Sequence, residues 1–173
     1  MSSFSGSVLS YKKQVTNSRA HRLGLSLGSQ FRSAELEDDP NERNNTNSNN
    51  NLSFSYTWMN YVNPESEIKF YYGFGPGVEA GFQKTEMDEI NSKRTNKEYT
   101  IGLSALGYTG VEWFLHPSIS LHAEYQVSAT ASYTQTQNIN KNKPADNTVK
   151  QIVNERAFTF SGNGVRFGLS VYF

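Results

Sequence analysis

Apolar residues alternate with polar or small residues along most of this chain, most regularly in residues 165–173. The apolar positions there are Val165, Phe167, Leu169, Val171 and Phe173. Because side chains on a β-strand point to opposite faces with a period of two, these five residues share one face. The segment is therefore predicted to be a β-strand with one apolar face and one polar face.

The same period of two recurs in further segments, which are residues 20–31, 52–61, 68–83, 99–115 and 118–133. In the last of them, eight apolar positions starting at Ile119 alternate with eight polar positions starting at Ser118, which favours a strand over a helix. Residues 4–12 carry apolar residues in no clean phase, and residues 158–173 are predicted to be one strand. The pattern predicts an all-β, up-and-down antiparallel sheet with seven visible strands.

Composition decides which kind of β-sheet protein this is. Only 36% of the residues are hydrophobic and the mean hydropathy is −0.63, which is low for a soluble core. A transmembrane β-barrel turns its apolar residues toward lipid and keeps a polar lumen, so it tolerates this composition. We expect a single transmembrane β-barrel domain over residues 1–173. The alternative is a soluble lipocalin-like barrel, which would expose its Gly-rich and Ser-rich face to water.

Charge and cysteine content exclude several classes of site. The chain has 16 basic and 16 acidic residues and no basic stripe, so no nucleic-acid partner is expected. It has no cysteine, which excludes a disulfide, a thiolate nucleophile and a Cys-ligated zinc site. We expect neither a metal site nor a cofactor.

The predicted connections between strands have two lengths. Short turns are expected at residues 14–17, 63–65 and 116–117, and long polar loops at residues 34–51, 84–97 and 135–150. Outer-membrane barrels have short periplasmic turns and longer extracellular loops. The long loops are therefore expected outside the cell.

Seven strands conflict with a closed antiparallel barrel whose two ends are both periplasmic, because such a barrel needs an even number. We expect eight strands, with a signal peptide and the native first strand upstream of Met1, since residues 1–15 lack the features of a leader. A bulge at residues 161–164 would then keep 158–173 as one strand. The alternatives are a hairpin at 161–164 and a strand supplied by another chain.

Charged residues on the polar face are candidates for an ion-pair network in the lumen. They are Arg22, Lys69, Glu79, Glu112, Glu124 and Arg166, with His122 nearby. An unpaired charge in a confined lumen is costly, so these residues are expected to pair, Arg166 with Glu112 or Glu124. The network either fills a non-conducting barrel or acts as a gate whose pairs exchange partners.

Aromatic residues on the apolar face are expected to form two belts at the membrane interfaces. Trp58, Phe70 and Trp113 lie near the predicted periplasmic ends, and Phe31, Phe82, Tyr99 and Tyr133 lie near the extracellular ends. The twelve residues from Phe70 to Phe82 rise on the order of 30 Å at about 3.3 Å per residue and a tilt of about 40°. This height matches the hydrocarbon core of a bilayer.

The whole chain resembles the small OmpX/OmpA-type outer-membrane β-barrels and the opacity-type porin-like proteins. The segments that carry the resemblance are LGLSLG at 23–28, YYGFGPGVEAG at 71–81, EWFLHP at 112–117 with SLHAEY at 120–125, and GLSVYF at 168–173. These motifs are loose and specify architecture rather than activity.

The resemblance implies an outer-membrane location in a Gram-negative-type bacterium, contact with outer-membrane lipid, and insertion by the barrel-assembly machinery. The last strand would be the assembly signal that this machinery reads. The residues of that signal are Phe167, Leu169, Val171, Tyr172 and Phe173.

Signals for catalysis fail on inspection. Residues 24–28 match the nucleophile-elbow pattern, but that motif needs a turn from strand to helix, whereas Ser26 lies in the middle of a predicted strand.

We expect a non-enzymatic protein that is a structural or accessory subunit of a membrane assembly, or that contacts other surfaces through its extracellular loops. The first alternative is a small, low-conductance pore. A minor alternative is a hydrolase or acyltransferase at the rim, where Glu35, Glu37, Asp38 and Asp39 cluster in sequence.

Overall fold

The computed structural model describes residues 2–36, 43–89, 91–116, 118–142, 147–162 and 164–171. The strands are β1 Ser2–Thr16, β2 Arg19–Leu36, β3 Arg43–Tyr61, β4 Ile68–Asp88, β5 Ser92–His116, β6 Ile119–Asn142, β7 Asn147–Gly162 and β8 Arg166–Val171. The predicted all-β class is confirmed. Across these residues, no helix is long and apolar enough to span a membrane.

The strands form one antiparallel sheet in the order of the chain from β1 to β7, and β8 also pairs with β6. Gly162 at the end of β7 is opposite Val127, and Arg166 at the start of β8 is opposite Glu124. Four steps along one strand therefore match three steps along its partner, which is the geometry of a β-bulge. The predicted bulge is confirmed, and the alternative of a hairpin at 161–164 is wrong.

The two edges of the sheet are β1 on one side and the line of β7 and β8 on the other. Within the described ranges, no backbone pairing joins these edges. Six antiparallel steps separate β1 from β7, so the two run in the same direction. The additional strand expected upstream of Met1 is a different strand from β8, and it stays a prediction.

The prediction of long polar loops at 34–51, 84–97 and 135–150 is wrong for most of their length. β2 continues to Leu36 and β3 begins at Arg43, while β4 and β5 are separated only by residues 89–91. These segments are polar on both faces, so they lack the alternation by which a half-apolar strand is recognised. Strand pairing still satisfies their backbone groups whichever side chains they carry. Residues 37–42 and 143–146 lie outside the described residues.

The apolar stripe covers the outer face of the sheet, and the polar stripe is on the inner face. One row of outward side chains follows the strand register from β1 to β7: Leu9, Leu25, Phe54, Val78, Leu103, Ala131 and Phe158. All seven are exposed. By contrast, the buried apolar cluster is small and contains Ala20, Met59, Tyr61 and Tyr71.

A proline interrupts the ladder between β3 and β4 without changing its register. Pairing stops after Ser55 opposite Gly77 and resumes with Trp58 opposite Phe74. Pro76 lies in this gap and has no N–H to donate, so it removes one ladder hydrogen bond. The sheet accommodates the missing donor because the same register continues on both sides of the gap.

Candidate functional site: a polar network on the inner face

Two cations and two carboxylates face the inside of the sheet on opposite walls. Lys12 on β1 is directly opposite Arg22 on β2. Glu112 on β5 and Glu124 on β6 are diagonal neighbours, because Glu124 is opposite Gly110. Like charges this close repel each other, so each pair needs counter-charges from another part of the molecule.

The first cross-wall contact joins Lys12 to Glu112. The lysine ammonium lies 2.7 and 2.8 Å from the two carboxylate oxygens. The Tyr61 hydroxyl donates to Oε2 at 2.9 Å, and the Ser120 hydroxyl donates to Oε1 at 2.5 Å. Glu112 is 0% exposed, and among the described residues Lys12, Tyr61 and Ser120, on three other strands, donate hydrogen bonds to it. Such full coordination is what a buried carboxylate requires.

The second contact joins Arg22 to Glu124. Nη1 of the arginine lies 2.5 Å from Oε2 of the carboxylate, and the Tyr71 hydroxyl donates to the same oxygen at 3.0 Å. The guanidinium also lies 4.4 Å from the centroid of the Tyr108 ring, a cation–π contact. This pair therefore combines charge, hydrogen bonding and an aromatic face.

Together these contacts form what we call the lumenal network. Its members are Lys12, Arg22, Tyr61, Tyr71, Glu112, Ser120 and Glu124. Its four charges sum to zero, with both cations on β1 and β2 and both carboxylates on β5 and β6. Each ion pair spans three intervening strands, so the network holds the sheet in a tightly curled shape.

Three of the residues predicted for the ion-pair network belong to it: Arg22, Glu112 and Glu124. His122 lies beside it, with Nδ1 3.3 Å from the Ser170 hydroxyl oxygen. The sequence therefore identified both members of the pair of Arg22 and Glu124, and the carboxylate of the pair of Lys12 and Glu112.

The other predicted members of the network lie elsewhere. Lys69 is opposite Glu112 in the register, but its ammonium lies 4.6 Å from the centroid of the Phe114 ring. Glu79 is exposed. Arg166 is also exposed, although it is opposite Glu124. The expected pairing of Arg166 is wrong, because Lys12 and Arg22 hold the two carboxylates from across the sheet.

Sequence reasoning missed Lys12, which is the most consequential omission. Register shifts between Phe4 and Ser7 and between Gln14 and Thr16 leave only residues 7–14 of β1 in an unbroken period of two. A residue in that strand therefore could not be assigned to a face from alternation alone. The missed hydroxyl donors had a weaker signal, since serine and tyrosine are common on both faces of a strand.

The predicted belt aromatics lie on the outer face. Trp58, Phe70, Trp113, Phe31, Tyr99 and Tyr133 are exposed, and Phe82 is half-buried. The Phe82 and Tyr99 rings are in contact, with centroids 5.0 Å apart.

The residues of the predicted assembly signal are only partly described. Phe167 and Leu169 are exposed on the outer face, and β8 ends at Val171. Tyr172 and Phe173 lie outside the described residues.

The geometry has a counterpart among solved structures. The fold is similar to that of the ferric yersiniabactin uptake receptor FyuA from Yersinia pestis, with a TM-score of 0.50 and 14% sequence identity. The match covers 91% of this chain and 24% of that chain, so this chain spans about a quarter of the receptor's length. At this identity the likeness shows the fold alone, an antiparallel sheet of the outer-membrane β-barrel kind. No protein-family model matches the chain, and no curated protein is significantly similar in sequence.

Proposed function

We propose that the protein is a non-enzymatic β-barrel of the outer membrane of a Gram-negative-type bacterium, inserted by the barrel-assembly machinery. In this proposal the lumenal network closes the interior. The polar strand ends beyond the membrane serve a structural or accessory role in a membrane assembly, or contact other surfaces. The observation that carries the proposal is the inverted burial of the sheet, with apolar side chains outside and charges inside.

The exposures make this inversion quantitative. Leu103 is 65% exposed and Ile101 is 62% exposed, whereas Glu112 is 0% and Thr57 is 1% exposed. In water, an apolar surface of this extent would drive association. In lipid, the same surface is the solvated one and the polar lumen is hidden from it. A membrane location therefore suits the outer face better than a soluble one.

The polar strand ends suit a role in contacts outside the membrane. β4 and β5 continue beyond the Phe82 and Tyr99 rings to Asp88 and Ser92. The neighbouring part of β3 carries six asparagines between residues 44 and 51. Paired strands present such side chains on a defined surface rather than on a mobile loop, which supports recognition of a partner.

Bilayer recording tests whether the interior is closed. The chain folded into phosphatidylcholine vesicles should give no reproducible conductance steps in a planar bilayer. Lys12→Met combined with Glu112→Gln removes one ion pair while keeping the residue volumes similar, and Lys13→Met, at an exposed neighbouring position, is the matched control. Regular conductance steps from the unmodified chain would contradict the closed interior.

A small gated pore is the second candidate function, and the arrangement of the charges favours it specifically. Lys12 is directly opposite Arg22, and the two carboxylates that they bind are diagonal neighbours, so the two ion pairs lie side by side. In this proposal the pairs exchange partners by side-chain rotation. For a gate, the double variant should conduct more often than the unmodified chain. For a closed barrel, neither the double variant nor the unmodified chain should give conductance steps.

A further inference from the structure

We propose that the outer face carries a binding site for the phosphomonoester headgroup of a membrane lipid, centred on Lys84 and Lys97. This inference rests on the proposed membrane location and adds a ligand class to it. Lys84 on β4 is directly opposite Lys97 on β5, and both positions have the outward parity of Phe82 and Tyr99. Two like charges placed directly opposite each other on a sheet normally destabilise it. A bound anion between the two ammonium groups removes that cost.

The position of the lysine pair relative to the aromatic rings fits a lipid rather than a free anion. Phe82 and Tyr99 are also directly opposite each other, two residues along their strands from the lysines. Aromatic side chains of this kind mark the boundary between hydrocarbon and headgroups. Two residues correspond to about 6.6 Å of strand, which places the ammonium groups at the level of lipid phosphates. Acyl chains would then lie along the rings and the apolar face below them.

The acidic neighbours leave positive charge at this pair. Glu86 lies 2.9 Å from the Lys84 ammonium and 4.0 Å from that of Lys93. Lys93 is also opposite Asp88. Within the described parts of the chain, Lys97 forms no ion pair with a carboxylate.

Lys93 is itself opposite Lys141 on β6, so lysines outnumber the carboxylates of Glu86 and Asp88 on this part of the outer face. A phosphomonoester carries up to two negative charges and accepts hydrogen bonds from several donors. Such a group can bind Lys97 and share Lys84 with Glu86.

Native mass spectrometry of the chain released from nanodiscs tests the site. The nanodiscs contain phosphatidylcholine with a minority of phosphatidic acid that has the same acyl chains. We expect phosphatidic acid to be retained on the protein in preference to phosphatidylcholine. Each of Lys84→Gln and Lys97→Gln should weaken retention about fivefold, and the double variant about 25-fold. Lys93→Gln is the matched control, because it removes the same charge from the same face of β5 four residues from Lys97, and it should retain the lipid.

Each other outcome overturns the inference. Equal retention by the double variant would show that the lysine pair does not bind the lipid. An equal loss in Lys93→Gln would show that net charge rather than the lysine pair attracts the lipid. Displacement of the lipid by the same concentration of inorganic phosphate would show a site for free phosphate. Heat-modifiable gel mobility reports insertion separately. Failure to insert into phosphatidylcholine overturns the membrane location as well, whereas insertion without lipid preference overturns the lipid site alone.

Discussion

The ammonium of Lys12 lies 2.7 Å from Oε1 of Glu112, although three strands separate β1 from β5 in the sheet. A contact of this kind exists only if the sheet curls until its inner face meets itself. The neighbouring pair of Arg22 and Glu124 spans the same number of strands, so the two contacts act side by side. The ion pairs therefore stabilise the curvature of the sheet as well as the charges themselves.

Lys12→Met should lower the free energy of unfolding by about 3 to 5 kcal/mol, because it leaves the buried carboxylate of Glu112 without its counter-charge. Adding Glu112→Gln should recover much of this loss. The measurement is the urea midpoint of the chain in lipid vesicles. Lys13→Met, on the opposite and exposed face, should change stability by no more than about 0.5 kcal/mol. If the losses of unfolding free energy from Lys12→Met and Glu112→Gln simply add in the double variant, the two residues do not form the ion pair.

Arg166→Leu should have a small effect, within about 1 kcal/mol, because the Arg166 side chain is exposed. Arg22→Leu should be far more damaging, since it removes the cation that Glu124 binds. Both variants are compared by urea unfolding, alone and together with Glu124→Gln. Strong coupling between Arg166 and Glu124, with none between Arg22 and Glu124, would reverse this assignment.

Gly75→Ala should be destabilising by about 1 to 3 kcal/mol, the usual cost of forcing extra volume into a filled space. A Cβ at this position would lie 2.8 Å from the carbonyl carbon of Tyr56 and 2.9 Å from Cα of Thr57, and backbone atoms cannot move aside cheaply. The control is Gly81→Ala, whose Cβ would lie 3.6 Å from Cβ of Thr100, an ordinary contact. Similar unfolding midpoints for the two variants would mean that β3 and β4 are less closely apposed than described.

Cysteine cross-linking should find no intramolecular disulfide between the two edges of the sheet. The edges run in the same direction, so an antiparallel barrel needs another strand between them, and disulfides do not form when Cα atoms are more than about 7 Å apart. Leu9→Cys can be combined in turn with cysteine at Phe158, Phe160 or Phe167, all exposed. The chain has no native cysteine to interfere. A cross-linked monomer on a non-reducing gel would show that the edges pair directly, and a cross-linked dimer would show pairing between copies.

The sequence predicts the sheet well wherever its two faces meet different environments. β6 illustrates this, because apolar and polar positions alternate without a fault from Ser118 to Tyr133. Beyond that point the strand continues to Asn142 with polar residues on both faces, and the alternation that identifies a strand is lost. Hydrogen bonding to β5 and β7 decides the conformation there, and such pairing leaves no trace in hydropathy.

The candidate site was predictable in its residue types but not in its pairing. Parity places Arg22, Glu112 and Glu124 on the inner face, and the structure agrees. Parity and register describe neighbours within a sheet, whereas the ion pairs join walls that face each other across it. Which carboxylate meets which cation therefore depends on curl, which a list of alternating positions does not contain. Lys12 was further hidden by the irregular pairing of β1.

The bulge between β7 and β8 also limits how this part of the chain can change in length. Three residues lie between Gly162 and Arg166, where β6 has two between Val127 and Glu124. The odd residue lets Phe158 and Phe167 face the same side although their numbers differ in parity. Removing one residue here would turn the apolar side of β8 inward and its arginine outward. Length changes at this point should consequently be tolerated in steps of two and rejected in steps of one.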